Sequence, residues 1–145
     1  MNLVVIDTNI IVSSTISEHG VPADIMELVA EKKLRIYYSD EILDEYKKVL
    51  AYKKFDLDSE KQNEIIDFIK KDGCYIIPQK SSVPMQDEKD RPFYDAARES
   101  RTILITGNTK HYENLPGLKY SDPASYLLKF KEMERMFERL YKHDM

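Results

Sequence analysis

Cysteine is nearly absent. With Cys74 alone among 145 residues, no internal disulfide can form and no multi-thiolate metal centre can be built. Its flank, Cys74-Tyr75-Ile76-Ile77, reads as a strand, where a thiol packs as a small hydrophobe; no basic neighbour is placed to stabilise a thiolate. Positive charge is also in deficit, 22 Lys and Arg against 26 Asp and Glu, with a net charge of -4 and a pI near 5.4. That balance excludes nucleic-acid binding through the overall field and leaves a local patch or a metal as the only routes to it. No run approaches the ~18 apolar residues of a membrane span, and no basic segment precedes the short apolar start. A cytoplasmic, reducing setting with no membrane contact is therefore expected. His19, His111 and His143 lack metal-ligand spacing. Neither a phosphate-binding Gly-Lys-Ser/Thr loop nor a dinucleotide-binding glycine pattern is present, so nothing points to zinc, ATP or NAD. Repeats and low-complexity segments are absent too.

What is present is 42% hydrophobic and 10% aromatic, the composition of one globular domain. Leu3 to Ile6 is a short, β-branched apolar run, the pattern of a strand covered on both faces. A helix follows Asp7-Thr8-Asn9. Ile25, Leu28 and Val29 give a second helical stripe, ending near Lys32-Lys33, and Arg35 to Tyr38 a second strand. Ser39-Asp40 starts a helix with Ile42, Leu43, Tyr46, Val49 and Leu50 on one face. Another runs from about Ser59 to Asp72, with Gly73 as its stop signal. Tyr75 to Ile77 reads as a strand closed by Pro78, and Lys80 to Lys89 as a loop. From Asp90 a helix begins, with Pro92 in its first turn and Phe93, Ala96 and Ala97 inward. Ile103-Leu104-Ile105 is a buried strand, Leu118 to Tyr120 an edge strand, and Asp122-Pro123 opens the last helix. Strands alternating with helices predict an α/β fold, a mostly parallel central sheet between helix layers. In such folds ligands sit at the carboxyl ends of strands, where the order of connections reverses.

Three acids stand out by position. Asp7 ends the first strand; taken alone it is explained as a helix cap. Glu45 projects to the border of the apolar stripe, between Ile42 and Val49, whereas Asp44 projects nearly opposite. A carboxylate on a core-facing border is costly unless paired or metal-bound, and the bland alternative is an edge glutamate reaching water. Asp90 lies at the start of the Phe93-Ala96-Ala97 helix, where its ordinary role is again a cap. Asp87, Glu88 and Asp95 are weaker candidates, two in the loop and one inside the helix.

The segments "VVIDTNIIVSS", "SDEILDEYKKVL", "DEKDRPFYDAARES" and "ILITGNTKHYENLPGLKYSDPASYL" resemble, in order and spacing, the signature blocks of PIN domains. The likeness is to the bacterial and archaeal branch described as toxin components of toxin-antitoxin systems, related to the VapC toxins. It covers Met1 to about Leu128, which places a PIN-like nuclease domain at 1–128 and leaves 129–145 as an extension of the last helix within the same domain. The resemblance implies a three-layer PIN-like sandwich and a ribonuclease, a hydrolase in which an acidic cluster holds Mg²⁺ or Mn²⁺ and cleaves RNA with metal-activated water. The family's first acid falls on Asp7, its helix glutamate on Glu45 and its third acid on Asp90. Mg²⁺ takes carboxylate oxygens and keeps several waters, so a few acids and a substrate phosphate complete its shell. Thr8, Asn9 and Thr106 adjoin this site and are candidates to position water or phosphate. Many family members carry a fourth acid where this chain has Asn108, whose amide oxygen can ligate a metal but brings no charge. Arg91, Arg98, Arg101 and Lys110, near the segments framing the site, are candidates for RNA phosphate contacts, each with the alternative of a solvated surface residue. An RNA substrate, an antitoxin and a second copy of the chain are the partners implied.

Along the last helix Tyr126, Phe130, Met133, Phe137 and Leu140 form a heptad-like seam. It packs on this domain or serves assembly as a homodimer or antitoxin contact. Two other functions compete. A haloacid-dehalogenase-type phosphatase needs a second acid two residues after the first, where Asn9 stands. A non-catalytic RNA- or protein-binding module of PIN type has Asn108 as its support.

Overall fold

The computed structural model describes residues 2–142, the side chain of 142 excepted; His143 lies outside the described residues. Five strands form a parallel sheet in the order β3-β2-β1-β4-β5. They are β1 (Asn2–Ile6), β2 (Leu34–Tyr38), β3 (Cys74–Tyr75), β4 (Ile103–Ile105) and β5 (Lys119–Ser121). The helices are α1 (Thr8–Ile16), α2 (Val21–Ala30), α3 (Asp40–Leu50), α4 (Ser59–Asp72), α5 (Arg91–Ser100) and α6 (Pro123–Lys142).

β1 is central. Its register runs Val4 opposite Ile36 on one side and Val4 opposite Ile103 on the other. Val4, Val5 and Ile6 are successive and all buried; since successive strand residues point to opposite faces, both faces of the sheet are covered. The order of connections reverses between β1 and β4, because β2 and β3 extend one way and β4 and β5 the other. At that reversal the carboxyl ends of the two strands lie side by side, with Asp7 following one and Thr106-Gly107-Asn108 the other.

The sequence overstates β3. Tyr75 to Ile77 reads as a strand, but pairing stops at Tyr38 opposite Tyr75 because β2 ends there. One further hydrogen bond, Ile76 N–H to the Tyr38 carbonyl, closes the ladder, and Ile77 is 81% exposed. Gly73 does stop α4, though with extended backbone, φ -80° and ψ 175°, and no left-handed turn. A Cβ there would press into the Ile69 and Ile36 carbonyls. Close approach of helix end to strand is what requires the glycine.

α6 divides along its length. Tyr126, Leu127 and Phe130 join the core, whereas Met133, Met136, Phe137, Leu140 and Tyr141 are exposed. An ion pair from Lys33 to Glu134 at 3.1 Å ties the middle of the helix to the turn after α2. Among the described residues no helix is long and apolar enough to cross a membrane.

Candidate active site at the carboxyl ends of β1 and β4

Asp7 occupies the cap position of α1 without capping it in the usual way. A cap side chain ordinarily reaches the second or third helical N–H; here Oδ1 accepts only from the adjacent Thr8 N–H at 2.9 Å. Oδ2 turns across the sheet instead, accepting from the Thr106 hydroxyl at 2.6 Å and the Tyr112 hydroxyl at 3.4 Å. Thr106 Oγ1 in turn accepts from the Asn108 N–H at 3.0 Å, so the turn after β4 is wired to the acid after β1. Gly107 keeps that turn close, since a Cβ there would meet the Asn9 side-chain nitrogen at 3.1 Å.

Glu45 is delivered by α3. Ser39 caps this helix by accepting from the Ile42 N–H at 3.2 Å. The buried Tyr46 donates to the carbonyl of Ile6, the last residue of β1, and its sequence neighbour Glu45 lines the same cleft as Asp7. Glu45 is half-buried and Asp44 exposed, as their helical projections require.

Asp90 does not cap α5. Its backbone is helical and its side chain makes no capping bond; Oδ2 pairs with His111 Nδ1 at 3.0 Å. A short helical turn, Thr109–Tyr112, therefore grips both acids through successive side chains, His111 on Asp90 and Tyr112 on Asp7. Neither grip is visible in the sequence, where His111 has no ligand spacing and Tyr112 falls in a short connection after β4.

These groups line one cleft of about 310 Å³, with Asp7, Thr8, Asn9, Glu45, Asp90 and Asn108 on its wall. Asp87, Lys89 and His111 share it. Burial pushes the Asp7 carboxyl above its ordinary range, Thr106 and Thr8 pull it back, and the Asp90 charge pushes it up again. Asp90 is likewise raised by burial, opposed by His111 and reinforced by Asp87. The Tyr112 phenol is driven far upward by burial first and then by the two acids, so it stays a proton donor. Two acids held against desolvation and each other's charge are the electrostatic condition that a cation relieves.

The donor set is hard oxygen: three carboxylates, the Asn9 and Asn108 amides and the Thr8 hydroxyl. Thr8 Oγ1 and Asn9 Oδ1 are buried with no hydrogen-bond partner. Among the described residues, no three Asp, Glu, His or Cys side chains close on a common point. Oxygen donors of this kind suit a hard divalent cation and not a thiophilic one.

The basic residues correct three expectations. Arg91 is buried and spends its guanidinium on the protein, reaching Glu88 Oε2 and Oε1, the Ser81 carbonyl and hydroxyl, and the Val83 carbonyl at 2.6–3.0 Å. It pins the loop before α5 and has no donor left for RNA. Arg98 and Arg101 lie at the far end of α5, roughly 12–16 Å along the helix from Asp90, and line a separate hollow with Gln79 and Glu99. Lys110 is exposed next to His111. Lys89, which ends the segment that the sequence predicts as a polar loop, is on the cleft wall.

A family model described as "PIN domain" matches residues 3–110. The chain is 34% identical over 108 residues to an uncharacterized protein, MJ1680, of Methanocaldococcus jannaschii, covering 72% of this chain and 70% of that one. Two solved structures share the fold. VapBC2 from Rickettsia felis, bound to a DNA fragment from their promoter, gives a TM-score of 0.55 at 19% identity over 83% of this chain and 98% of that one. VapBC-1 from nontypeable Haemophilus influenzae gives 0.60 at 18%, over 84% and 98%.

Proposed function

The chain belongs to the PIN domain family, and from that premise we propose that it is a divalent-metal-dependent endoribonuclease, the toxin of a toxin-antitoxin pair. The observation that carries this reading is that Asp7, Glu45 and Asp90, from the end of β1, from α3 and from the start of α5, all line the wall of one cleft. Those three are the proposed ligands of Mg²⁺ or Mn²⁺, with Asn108 as a weaker, neutral one. The ion, when bound, activates water and offsets phosphate charge. Thr106 and Tyr112 hold the Asp7 carboxylate in place, and His111 holds Asp90. Thr8 and Asn9 offer buried oxygens for water or phosphate. Lys89 on the cleft wall and the exposed Lys110 next to His111 are the proposed contacts for an RNA phosphate.

An RNA substrate, an antitoxin and a second copy of the chain are the partners that go with this function. The resemblance to VapC toxins and the fold shared with two VapBC structures support the antitoxin. The exposed apolar residues at the outer end of α6 support a protein contact there. Asn108, neutral where many relatives are acidic, favours one second reading, an RNA-binding module that does not cut.

Incubation of a mixed RNA pool with Mg²⁺ or Mn²⁺ separates the two, comparing the parent with Asp7→Asn and Asp90→Ala. Cleavage by the parent and loss of at least roughly 100-fold in each variant is expected, the scale of removing a group that stabilises developing charge. Equal cleavage by all three means a contaminating nuclease and sinks the mechanism. Binding without cleavage by the parent favours the module.

A further inference from the structure

The wall of the cleft that continues from Glu45 carries a feature that the acidic site does not use. Between Glu45 and Asp56 the chain reads Tyr46-Lys47-Lys48-Val49-Leu50-Ala51-Tyr52-Lys53-Lys54-Phe55, four lysines and no carboxylate in a protein of net charge -4. After α3 ends, a short turn at Lys53–Phe55 folds Phe55 back, so that Val49 and Phe55 line the cleft beside Glu45. Tyr52 and Phe55 stack with ring centroids 6.2 Å apart and planes 15° from parallel. The Lys54 ammonium lies over both, 5.1 Å from the Phe55 centroid and 6.0 Å from that of Tyr52. Lys47, Lys48, Lys53 and Lys54 are all exposed, Tyr52 is 37% exposed, and among the described residues none of the four lysines forms an ion pair.

We infer that this segment is a binding platform for an unpaired RNA strand leading into the cleft, a step that rests on the nuclease function proposed above. A chain acidic overall needs a local patch to hold a polyanion, and this patch is continuous with the cleft wall. Flat rings beside ammonium groups that form no ion pair among the described residues suit an unpaired base and its flanking phosphates, since stacking needs an exposed base face while phosphates need only charge. A paired A-form helix hides its base faces and gains only the charge. An acidic protein segment would gain the lysines alone and leave the paired rings unexplained.

Fluorescence anisotropy tests this on the full-length chain carrying Asp7→Asn to prevent cleavage, with a labelled single-stranded 12-nucleotide RNA over a salt series. Lys53→Glu with Lys54→Glu is expected to weaken binding at least about tenfold. It should also flatten the slope of log K against log salt by roughly 1.4, two contacts at about 0.7 each. Tyr52→Ala is expected to cost about tenfold, while Tyr52→Phe, which keeps the ring, binds as the parent does. Lys32→Glu with Lys71→Glu, in a hollow at the opposite ends of β2 and α4, is the control that leaves affinity unchanged. Thermal melts of each variant establish folding. If the Lys53 and Lys54 double variant keeps parental affinity and slope, the platform is wrong, even if that variant has lost an acidic protein partner instead. Duplex RNA bound as tightly as single-stranded RNA overturns it as well. A native chain that binds through these residues but never cuts overturns the nuclease function and leaves the platform standing. One that cuts equally with and without the lysines does the reverse.

Discussion

Asp7 carries two loads, the start of α1 and the charge of the cleft. Its carboxyl is raised above 3.8 by burial first, with Thr106 and Thr8 opposing and the Asp90 charge adding. An acid raised in the folded state favours folding fully while protonated, below about pH 4, and that contribution is lost as pH rises through the folded value. Asp7→Asn removes the charge and keeps the shape. By calorimetry it should melt roughly 2–4 °C above the parent at pH 7, with the gap closing toward pH 4. Mg²⁺ at a hundred times its Kd should stabilise the parent by about 2.7 kcal/mol and leave Asp7→Asn unmoved; a parent indifferent to Mg²⁺ counts against the metal. The His111 ring pairs with Asp90. Removing it as His111→Ala should weaken Mn²⁺ binding, read by electron paramagnetic resonance, by about tenfold or more. His111→Asn, whose amide takes the place of Nδ1, should restore it, and failure of that rescue would reduce His111 to packing. The three acids were legible in the sequence because a strand end, a stripe border and a helix start are local patterns. His111 and Tyr112 were not, since their contacts with Asp90 and Asp7 span 21 and 105 residues. Arg91 was misread for a related reason: an arginine beside an acidic loop looks free until the folded loop supplies its carbonyls.

Local periodicity carried most of the helices and strands. Where it failed, a neighbour decided: β3 is cut short by the end of β2, and Gly73 is fixed by the Ile36 carbonyl. The segment from Pro78 to Lys89 shows the same dependence at larger size. It has no strand or long helix of its own, yet it delivers Asp87, Lys89 and Asp90 to the cleft. Arg91 is what holds it, through Ser81, Val83 and Glu88. Burial of Arg91 with all these bonds made, and one face of the pair exposed at Glu88, puts the cost of Arg91→Ala at roughly 2–3 kcal/mol. Hydrogen exchange should show protection lost from residues 80–90 and retained in β1 and β4. RNA cleavage should fall although Arg91 touches neither the cleft nor the substrate. Exchange unchanged in that segment would remove Arg91 from this role.

For the whole molecule the question is what covers the outer half of α6. The seam from Tyr126 to Leu140 is continuous in sequence, but the fold uses it only as far as Phe130. A truncation after Leu128 would therefore remove a core phenylalanine, at about 3–5 kcal/mol, and confuse assembly with unfolding. Met133→Gln, Phe137→Gln and Leu140→Gln together avoid this, because all three side chains are exposed, and each should shift stability by no more than about 0.5 kcal/mol. Light scattering should give a dimer for the parent and a monomer for the triple variant. Equal masses would show that this face does not pair copies of the chain.

The wiring of Asp7 to Thr106, 99 residues downstream, bears on how the protein comes into being. During synthesis the amino end emerges first, so Asp7, then Glu45 and last Asp90 leave the ribosome before β4 and the Thr109–Tyr112 turn. A nascent or prematurely ended chain that stops short of Thr106 has every carboxylate of the site and lacks the strand that completes it on one side. The cutting activity proposed above would then require a chain that extends through β4 and the Thr109–Tyr112 turn, because only that length holds Asp7 from both sides.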